Sequence, residues 1–166
     1  MQHQADIFEF KPQPQAGSLT SAEEATIQEA LAILGRQVKG GPLMTGSKDT
    51  SNYLRLKYSR EKSEHFGVLF LDCAHNVLAE EILFHGTLDG CAVYPRIVLE
   101  RALACNAGAC IAFHNHPSGN STPSHADRHI TRRLADALGL VDCRLLDHIV
   151  VGVGSHYSFA ENGEMG

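Results

Sequence analysis

A chain of 166 residues in which 43% of the side chains are hydrophobic and 20% are charged has the size and composition of one folded domain with a single core. No apolar run approaches the roughly 20 residues that span a bilayer, and the N-terminus lacks a secretory signal, so we expect a cytoplasmic protein without a membrane partner. The net charge of −5 argues against direct nucleic-acid binding, because the densest basic cluster is only Arg128, Arg132 and Arg133 on one predicted helix.

The cysteines are expected to be reduced, since no secretory signal directs the chain to an oxidising compartment. They are five in number and scattered, and no two of them form a Cys-x-x-Cys pair. We therefore predict neither a disulfide framework nor a structural zinc site built on cysteines. The positions are Cys73, Cys91, Cys105, Cys110 and Cys143.

The N-terminal part is predicted to hold an arm and two helices. Residues 1–18 are polar, contain prolines and show no periodicity, so we expect a flexible arm. Thr20 or Ser21 can cap a helix whose apolar stripe ends at Gly35. A glycine and proline break follows, and a second helix is expected from Ser47 through Tyr58.

A predicted β-hairpin comes next. Two apolar runs of strand length, 65–72 and 77–84, are joined by four residues. The first run is apolar on both faces, which favours a central place in the sheet. After a loop, Pro95 is expected to open a helix that ends near Asn106. Its buried face is predicted to contain Val98, Leu99, Ala102 and Leu103.

The stretch that follows concentrates the unusual residues of the chain. If the strand that begins at Ala109 continues through His116, then His114 and His116 share one face. The prolines and glycine of the next seven residues force a turn. Ser124 then caps a helix with Asp127 in its first turn. Two imidazoles and one carboxylate converge, and three protein ligands are the set of a catalytic rather than a structural zinc site.

A structural alternative stays open for each of these residues. Histidines two positions apart are common on surfaces, and an acidic residue in a first helical turn is a routine partner of the helix dipole. The arrangement of strand, turn and capped helix favours the metal site. The helix is expected to bury Ile130, Leu134 and Leu138 and to end at Gly139. Closing strands are predicted at 144–151 and 156–159.

The motif His114-x-His116-Pro117, followed by Ser124-x-x-Asp127, resembles the JAMM (MPN+/JAB) metalloprotease signature. Other motifs resemble the RadC branch of that superfamily, and the match covers roughly Thr45 to Glu161. These motifs are His114-Asn115-His116-Pro117-Ser118-Gly119, Arg60-Glu61, Glu64-His65-Phe66, Gly86-Thr87-Leu88, Tyr94-Pro95-Arg96 and Leu146-Asp147-His148.

The resemblance implies a fold and a set of roles. The fold would be α/β, a JAB/MPN-like mixed β-sheet flanked by helices in a single domain with an N-terminal helical extension. We divide the chain into an arm (1–18), a helix with a linker (19–44) and a RadC-like metal-binding domain (45–166). In this superfamily the two histidines and the aspartate bind one zinc ion, an upstream glutamate moves the proton of the attacking water, and the serine steadies the oxyanion.

Glu64 and Ser124 are the predicted catalytic residues. Glu64 precedes the first strand and shares the phase of its inward residues, whereas Glu61 lies in a charged turn, and the family pattern places a glycine, here Gly67, three residues after the glutamate. A surface carboxylate at a strand end is the alternative. The hydroxyl of Ser124 can act as a helix cap and as an oxyanion donor at once, since a hydroxyl accepts and donates.

Three histidines and one cysteine near the site are weighed separately. His148 could hold a ligand in place, as zinc sites require, or could be a packing residue. His125 and His129 are excluded as ligands by their directions on the predicted helix. Cys110 shares the phase of the histidines, but nothing supports it as a fourth ligand, and it fits a small core residue.

The first functional hypothesis is a zinc-dependent hydrolase of amide bonds that acts on a peptide or protein substrate. A DNA repair or DNA-processing accessory protein of the RadC type and a zinc-stabilised interaction module without turnover are the alternatives. RadC-like proteins carry a helix-hairpin-helix module ahead of the metal domain, and we expect this N-terminus to be too short for one. A zinc deaminase is excluded because its His-x-Glu and Pro-Cys-x-x-Cys motifs are missing.

Overall fold

The computed structural model describes residues 19–40, 47–86 and 92–165. The predicted arm, the linker that follows the first helix, and Cys91 lie outside these ranges. Within them, four helices and five strands follow one another along the chain. They are α1 (Ser21–Gly40), α2 (Ser47–Tyr58), β1 (His65–Leu71), β2 (Val77–His85), α3 (Pro95–Ala104), β3 (Ala109–Asn115), α4 (His125–Gly139), β4 (Arg144–Val151) and β5 (His156–Ser158).

The five strands form one mixed sheet in the order β2-β1-β3-β4-β5. The pairs β2–β1, β1–β3 and β4–β5 are antiparallel, whereas β3 and β4 are parallel. Parallel neighbours need a crossover, and α4 provides it. The α/β prediction with a mixed sheet is confirmed, and β1 has a strand on each side as its two apolar faces indicate. No helix in the described ranges combines the length and apolarity that a bilayer span requires.

The sheet has a buried core on each face. On one face α2 packs Tyr53, Leu54 and Tyr58 against odd-numbered residues of β1 and β3. On the other face α3 and α4 cover even-numbered residues of the same strands. Because side chains alternate along a strand, the even position 114 points toward α4 and the odd position 115 points toward the face that α2 covers.

Three sequence predictions need correction. The helix α1 does not end at Gly35 but continues to Gly40, since an interior glycine costs a helix only about 1 kcal/mol. The side chain of Leu103 is 60% exposed, because α3 ends one residue later and turns this position away from the sheet. In α4, Thr131 rather than Ile130 is fully buried beside Leu134 and Leu138. Thr131 takes this place because its hydroxyl finds hydrogen-bond partners there.

Candidate metal centre

The helix α4 begins with a capping box that fixes the position of Asp127. Ser124 is the N-cap, and its Oγ accepts a hydrogen bond from the Asp127 backbone N at 3.1 Å. In return the backbone N of Ser124 donates to Asp127 Oδ2 at 2.7 Å. Two backbone donors at the helix start are thereby satisfied. The Asp127 carboxylate is held in one orientation by groups of its own helix.

Three side chains converge between the end of β3 and this helix end. The Nε2 atoms of His114 and His116 lie 2.9 Å apart, and Asp127 Oδ1 lies 3.3 Å from His114 Nε2. Asp127 Oδ2 lies 3.6 Å from His116 Nε2. Among the described residues these three form the group that could hold a metal ion, with one ligand atom from each within 4.8 Å of the others. His116 stands one residue past the strand end rather than within it.

The donor set and its spacing fit zinc. Ligand atoms that each lie about 2 Å from a tetrahedral zinc ion are separated from one another by roughly 3 to 3.5 Å. The two imidazole nitrogens are 2.9 Å apart, and the two carboxylate oxygens of Asp127 lie 3.3 and 3.6 Å from them, which is close to this spacing. His114 is buried, with 1% of its side chain exposed, while His116 and Asp127 keep 19% and 13%. The site is therefore enclosed on the side of His114 and open to solvent on the side of His116 and Asp127.

The proton on His116 is directed away from the site. Its Nδ1 lies 2.7 Å from the backbone oxygen of Asn120, and a carbonyl oxygen can only accept a hydrogen bond. Nδ1 therefore carries the proton, and in the neutral ring Nε2 carries a lone pair. The loop that contains Asn120 thus sets the ring so that Nε2 faces His114 and Asp127.

The charges of the site reinforce one another. Burial opposes ionisation of Asp127, but hydrogen bonds with His114 and His116 hold the pKa of its carboxyl well below the usual range. The hydrogen bond with Asp127 in turn raises the pKa of His116 above its ordinary value. A carboxylate that stays ionised at this point supplies a negative charge for a cation.

His148 lies behind His114, in the middle of β4. It is fully buried, and its Nε2 lies 2.9 Å from His114 Nδ1. The neighbouring Asp147 serves the fold instead. Its carboxylate accepts hydrogen bonds from the backbone N of Ala160 at 2.9 Å and from Ser158 Oγ at 2.6 Å, which ties the C-terminal turn to the sheet.

Asn115 is a site residue that the sequence reasoning missed. Its Oδ1 accepts a hydrogen bond from the His65 backbone N at 2.8 Å, and its Nδ2 donates to Ser63 O at 3.0 Å. A longer bond of 3.4 Å runs from Nδ2 to Glu61 O. These contacts hold the segment that carries Glu64. The only signal in the sequence is a polar residue between two candidate ligands in a predicted strand, and it does not reveal the contacts with the segment before β1.

Glu64 is half-buried at the entrance to β1, and its backbone oxygen accepts a hydrogen bond from Gly86 N at 2.8 Å. Its charge contributes to the raised pKa of His116, so the carboxylate lies within electrostatic reach of the site. It is not part of the group of three. Glu61 is more exposed, at 49%, and its carboxylate lies 3.5 Å from His65 Nε2.

Gly67 of the motif has a packing role. A Cβ at this position would lie 2.3 Å from the ring tip of Phe113, and that ring also packs against Tyr58 with centroids 4.9 Å apart. Only a glycine lets the ring lie across β1. Gly67, three residues after Glu64, therefore allows the ring of Phe113 to pack against β1.

The loop between β3 and α4 is braced by the loop that joins β4 and β5. Val153 N donates to Gly119 O at 3.0 Å, and Ser121 Oγ and Ser155 Oγ lie 3.0 Å apart. Gly119 has a φ of +83°, a left-handed conformation that favours glycine. A Cβ on Gly152 would lie 2.4 Å from Gly119 O, so the two loops touch through their backbones.

A cavity of about 900 Å³ lies between the start of α1, the segment that follows α2 and the loop that follows β3. The exposed side chain of Val153 contributes to its apolar wall. Its lining includes Leu19, Glu24, Arg60, Lys62, Pro117 and Val153. Pro117 is the residue after His116, but the three converging side chains are not part of this lining.

The excluded candidates lie apart from the group of three. His125 and His129 are exposed on α4, in agreement with their exclusion. Cys110 is buried further along β3, and its Sγ lies 3.5 Å from Cys143 Sγ. Burial raises the pKa of the Cys110 thiol, which suits a core residue and not a metal-bound thiolate. The four cysteines in the described ranges are free.

Comparisons with known proteins identify the family and several relatives of this chain. The model of a family described as "RadC-like JAB domain" matches residues 44–164. A "UPF0758 protein" of Stutzerimonas stutzeri is 45% identical over 163 residues, which cover 98% of this chain and 73% of that protein. One of Vibrio campbellii is 51% identical over 140 residues, covering 84% and 62%. One of Vibrio cholerae is 50% identical over 141 residues, covering 85% and 89%.

The alignments thus leave part of some relatives uncovered, since the chain spans 62% of the length of the Vibrio campbellii protein. The names of these relatives state no activity, substrate or partner. These names therefore give no function that could be transferred to this chain. Chemistry has to be argued from the residues of the site.

Proposed function

The chain belongs to the RadC-like JAB family, and from this premise we propose that it is a zinc-dependent hydrolase of amide bonds in peptides or isopeptides. The observation that carries the proposal is the convergence of two imidazole nitrogens and one carboxylate oxygen, all within 4.8 Å of one another. Three such ligands are the usual protein contribution to catalytic zinc sites. We also propose that the protein is cytoplasmic.

His114, His116 and Asp127 would hold one zinc ion per chain. Zinc bound there would supply Lewis-acid chemistry, making water a nucleophile near neutral pH and polarising the substrate carbonyl. The chain itself prepares the site through three fixed groups. The Asn120 carbonyl orients His116, the capping box orients Asp127, and the packing of β3 orients His114.

Glu64 would be the general base and acid of the reaction. Its place beside the site supports a role in taking a proton from the attacking water and passing it to the departing amine. Glu61 is the less suitable carboxylate, because His65 already lies 3.5 Å from it. The three hydrogen bonds of Asn115 would keep the Glu64 segment in place during the proton transfers.

Ser124 would donate a hydrogen bond to the oxyanion that develops on the substrate carbonyl. Its Oγ accepts the bond from Asp127 N, and the hydroxyl proton can be directed outward. The residue is exposed, so a substrate can reach it. A donor at this position acts where charge develops in the transition state.

A peptide or isopeptide chain is the proposed substrate class. The cavity is open, about 900 Å³ in volume, and mixes an apolar wall with charged side chains of both signs. Such a lining suits a polypeptide segment better than a polyanion. The two basic residues of the lining, Arg60 and Lys62, are matched there by Glu24 and Glu61.

A DNA repair or DNA-processing accessory role of the RadC type is the second candidate, and the family match favours it. The net charge of −5 speaks against direct contact with DNA. Arg128, one of the three clustered arginines, has its Nε 3.0 Å from Glu164 Oε2 and is partly neutralised. A zinc-stabilised interaction module without turnover is the third candidate.

The test is a cleavage screen with the zinc-loaded protein against peptide and isopeptide libraries. We expect cleavage that a chelator abolishes and that His116→Ala removes. His125→Ala is the matched control, because His125 is an exposed histidine on α4 outside the site. Zinc binding without any cleavage would favour the interaction module, and salt-sensitive DNA binding without cleavage would favour the RadC-type role.

A further inference from the structure

A buried chain of hydrogen bonds connects two of the three proposed ligands from behind. His114 Nδ1 lies 2.9 Å from His148 Nε2, and His148 Nδ1 lies 2.6 Å from Thr131 Oγ1. Thr131 Oγ1 lies 2.6 Å from the backbone oxygen of Asp127. We call His148 and Thr131 the relay. It runs from a ligand on β3 through β4 to α4, and it ends on the residue that supplies the third ligand.

The Asp127 carbonyl oxygen determines which group donates in each hydrogen bond of the relay. The Asp127 carbonyl oxygen can only accept, so the Thr131 hydroxyl donates to it. A hydroxyl has one proton, and Thr131 must therefore accept from its other neighbour. The proton between Thr131 and His148 then belongs to His148 Nδ1.

The surroundings of His148 favour a neutral ring with a single proton. The residue is fully buried, its ring stacks on Phe159 with centroids 5.0 Å apart, and the ring of Phe66 lies 5.5 Å away. The neighbouring Asp147 carboxylate is occupied by Ser158 and Ala160. With its one proton on Nδ1, His148 has a lone pair on Nε2, which accepts the proton of His114 Nδ1.

We propose that His148 and Thr131 are positioning residues that hold His114 in the tautomer with a proton on Nδ1, so that the lone pair of His114 Nε2 faces His116 and Asp127. The inference rests on the zinc site of the proposed function but not on hydrolysis. His148 in the centre of β4 and Thr131 in α4 thus orient a proposed ligand, although neither of them would contact the metal itself.

Reversal of the hydrogen bond between Thr131 and His148 would give His114 the other tautomer. If the Thr131 hydroxyl donated to His148 Nδ1, His148 Nε2 would donate to His114 Nδ1, and the neutral His114 would carry its proton on Nε2. That proton would occupy the position a metal ion needs. The two directions differ in which nitrogen of each ring is protonated, and this can be observed.

The first test measures ring-nitrogen NMR shifts of the histidines in both metal-free and zinc-loaded protein. We expect His148 to be protonated on Nδ1 and unprotonated on Nε2 in both states, since the relay is built into the fold. A proton on His148 Nε2 in the metal-free protein would overturn the inference. No substrate is needed, so the result is independent of hydrolysis.

The second test compares Thr131→Val with Thr131→Ser by zinc titration calorimetry. Valine keeps the shape and removes the hydroxyl, and we expect zinc affinity to fall about 10- to 100-fold, as for other supporting partners of zinc ligands, with serine restoring it to within about threefold. Equal affinity of the valine variant and the unaltered protein would contradict the relay. Urea unfolding of both variants checks that they are folded.

The third test places a matched pair at His148. His148→Gln keeps an acceptor and a donor on one side chain, whereas His148→Phe keeps only a flat ring that can stack on Phe159. We expect the glutamine variant to bind zinc more tightly than the phenylalanine variant, and the reverse order would contradict the relay. Absence of cleavage by a protein with the expected tautomers would count against the proposed function alone.

Discussion

His114, Asn115 and His116 are consecutive residues whose side chains act on two faces of the sheet. The two histidines point toward α4 and meet with their Nε2 atoms 2.9 Å apart. Asn115 points to the other face and binds the segment ahead of β1. Strand alternation explains the opposite directions of His114 and Asn115, and the loop that follows holds the ring of His116. One short motif therefore supplies two proposed ligands and the support for the proposed proton carrier.

Replacement of Glu64 by glutamine tests the proposed proton carrier. We expect Glu64→Gln to keep its zinc content, because Glu64 is outside the group of three, and to lose hydrolysis by about 10²- to 10⁴-fold, the usual contribution of general acid–base catalysis. Zinc content by elemental analysis and the cleavage rate would be measured together. Glu61→Gln is the control, and full activity of Glu64→Gln would reject the assignment.

Ser124 is expected to have two separable effects. Ser124→Ala removes the N-cap of α4 and should lower the free energy of unfolding by about 1 kcal/mol in urea titrations. The loss of an oxyanion donor should also lower kcat by about 10²- to 10³-fold. Ser118→Ala in the same loop is the control. A loss of stability with an unchanged kcat would leave Ser124 only its capping role.

At the scale of elements, the site lies at the junction of β3 and α4 because a parallel crossover brings a strand's carboxyl end beside a helix N-terminus. The adjacent β4 adds His148 behind the ligands, with Ala112 and His148 as neighbours in the β3–β4 ladder. The β4–β5 loop then closes over the turn between β3 and α4. Each proposed ligand is thus supported by a different element.

Asn115 links β3 to the segment before β1, and its replacement should misplace that segment. We expect Asn115→Ala to reduce hydrolysis much more than zinc affinity, because the ligands stay on their own elements. Loss of the buried amide should also lower the free energy of unfolding by roughly 1 to 3 kcal/mol. Kinetics, calorimetry and urea unfolding measure the three quantities. A parallel loss of zinc would instead place Asn115 in support of the ligands.

Glu80 joins α2 to β2 and gives a prediction on stability alone. Its carboxylate accepts hydrogen bonds from Tyr53 and Tyr58, both at 2.6 Å, and from Lys57 at 2.9 Å. Glu80→Ala would leave two largely buried phenols without their acceptor, so the free energy of unfolding should fall by roughly 2 to 3 kcal/mol.

The adjacent Glu81 provides the matched control for Glu80. It points to the other face of β2 and pairs with Arg101, whose side chain is 41% exposed. Exposed ion pairs contribute at most about 1 kcal/mol, so Glu81→Ala should change the free energy of unfolding little. Equal losses in the two variants, measured by urea unfolding, would contradict the role given to Glu80.

For the whole molecule, the sequence predicted what depends on neighbouring residues. The inward direction of His114 in β3, the capping of α4 by Ser124 and the antiparallel hairpin of β1 and β2 are all local patterns, and the structure contains each of them. His116 lies on the same side as His114, although the strand ends one residue before it. Their meeting point was predictable because strand, turn and helix follow one another directly.

What the sequence did not reveal depends on contacts between distant segments. Thr131 looks like an ordinary helix residue until β4 brings His148 to within 2.6 Å of it. Asn115 looks like a spacer until β1 pairs with β3 and brings His65 N to its side chain. The exposure of Leu103 depends on how far α3 extends past the sheet. These contacts depend on the order and register of the strands, which cannot be predicted from a local sequence pattern.

The most direct test of the central claim is a calorimetric titration of zinc into metal-stripped protein. We predict saturable binding of one zinc ion per chain, strongly weakened in His116→Ala and Asp127→Asn and unchanged in His125→Ala. Folded protein that binds no zinc, or that binds it equally well after loss of His116 or Asp127, would contradict the account.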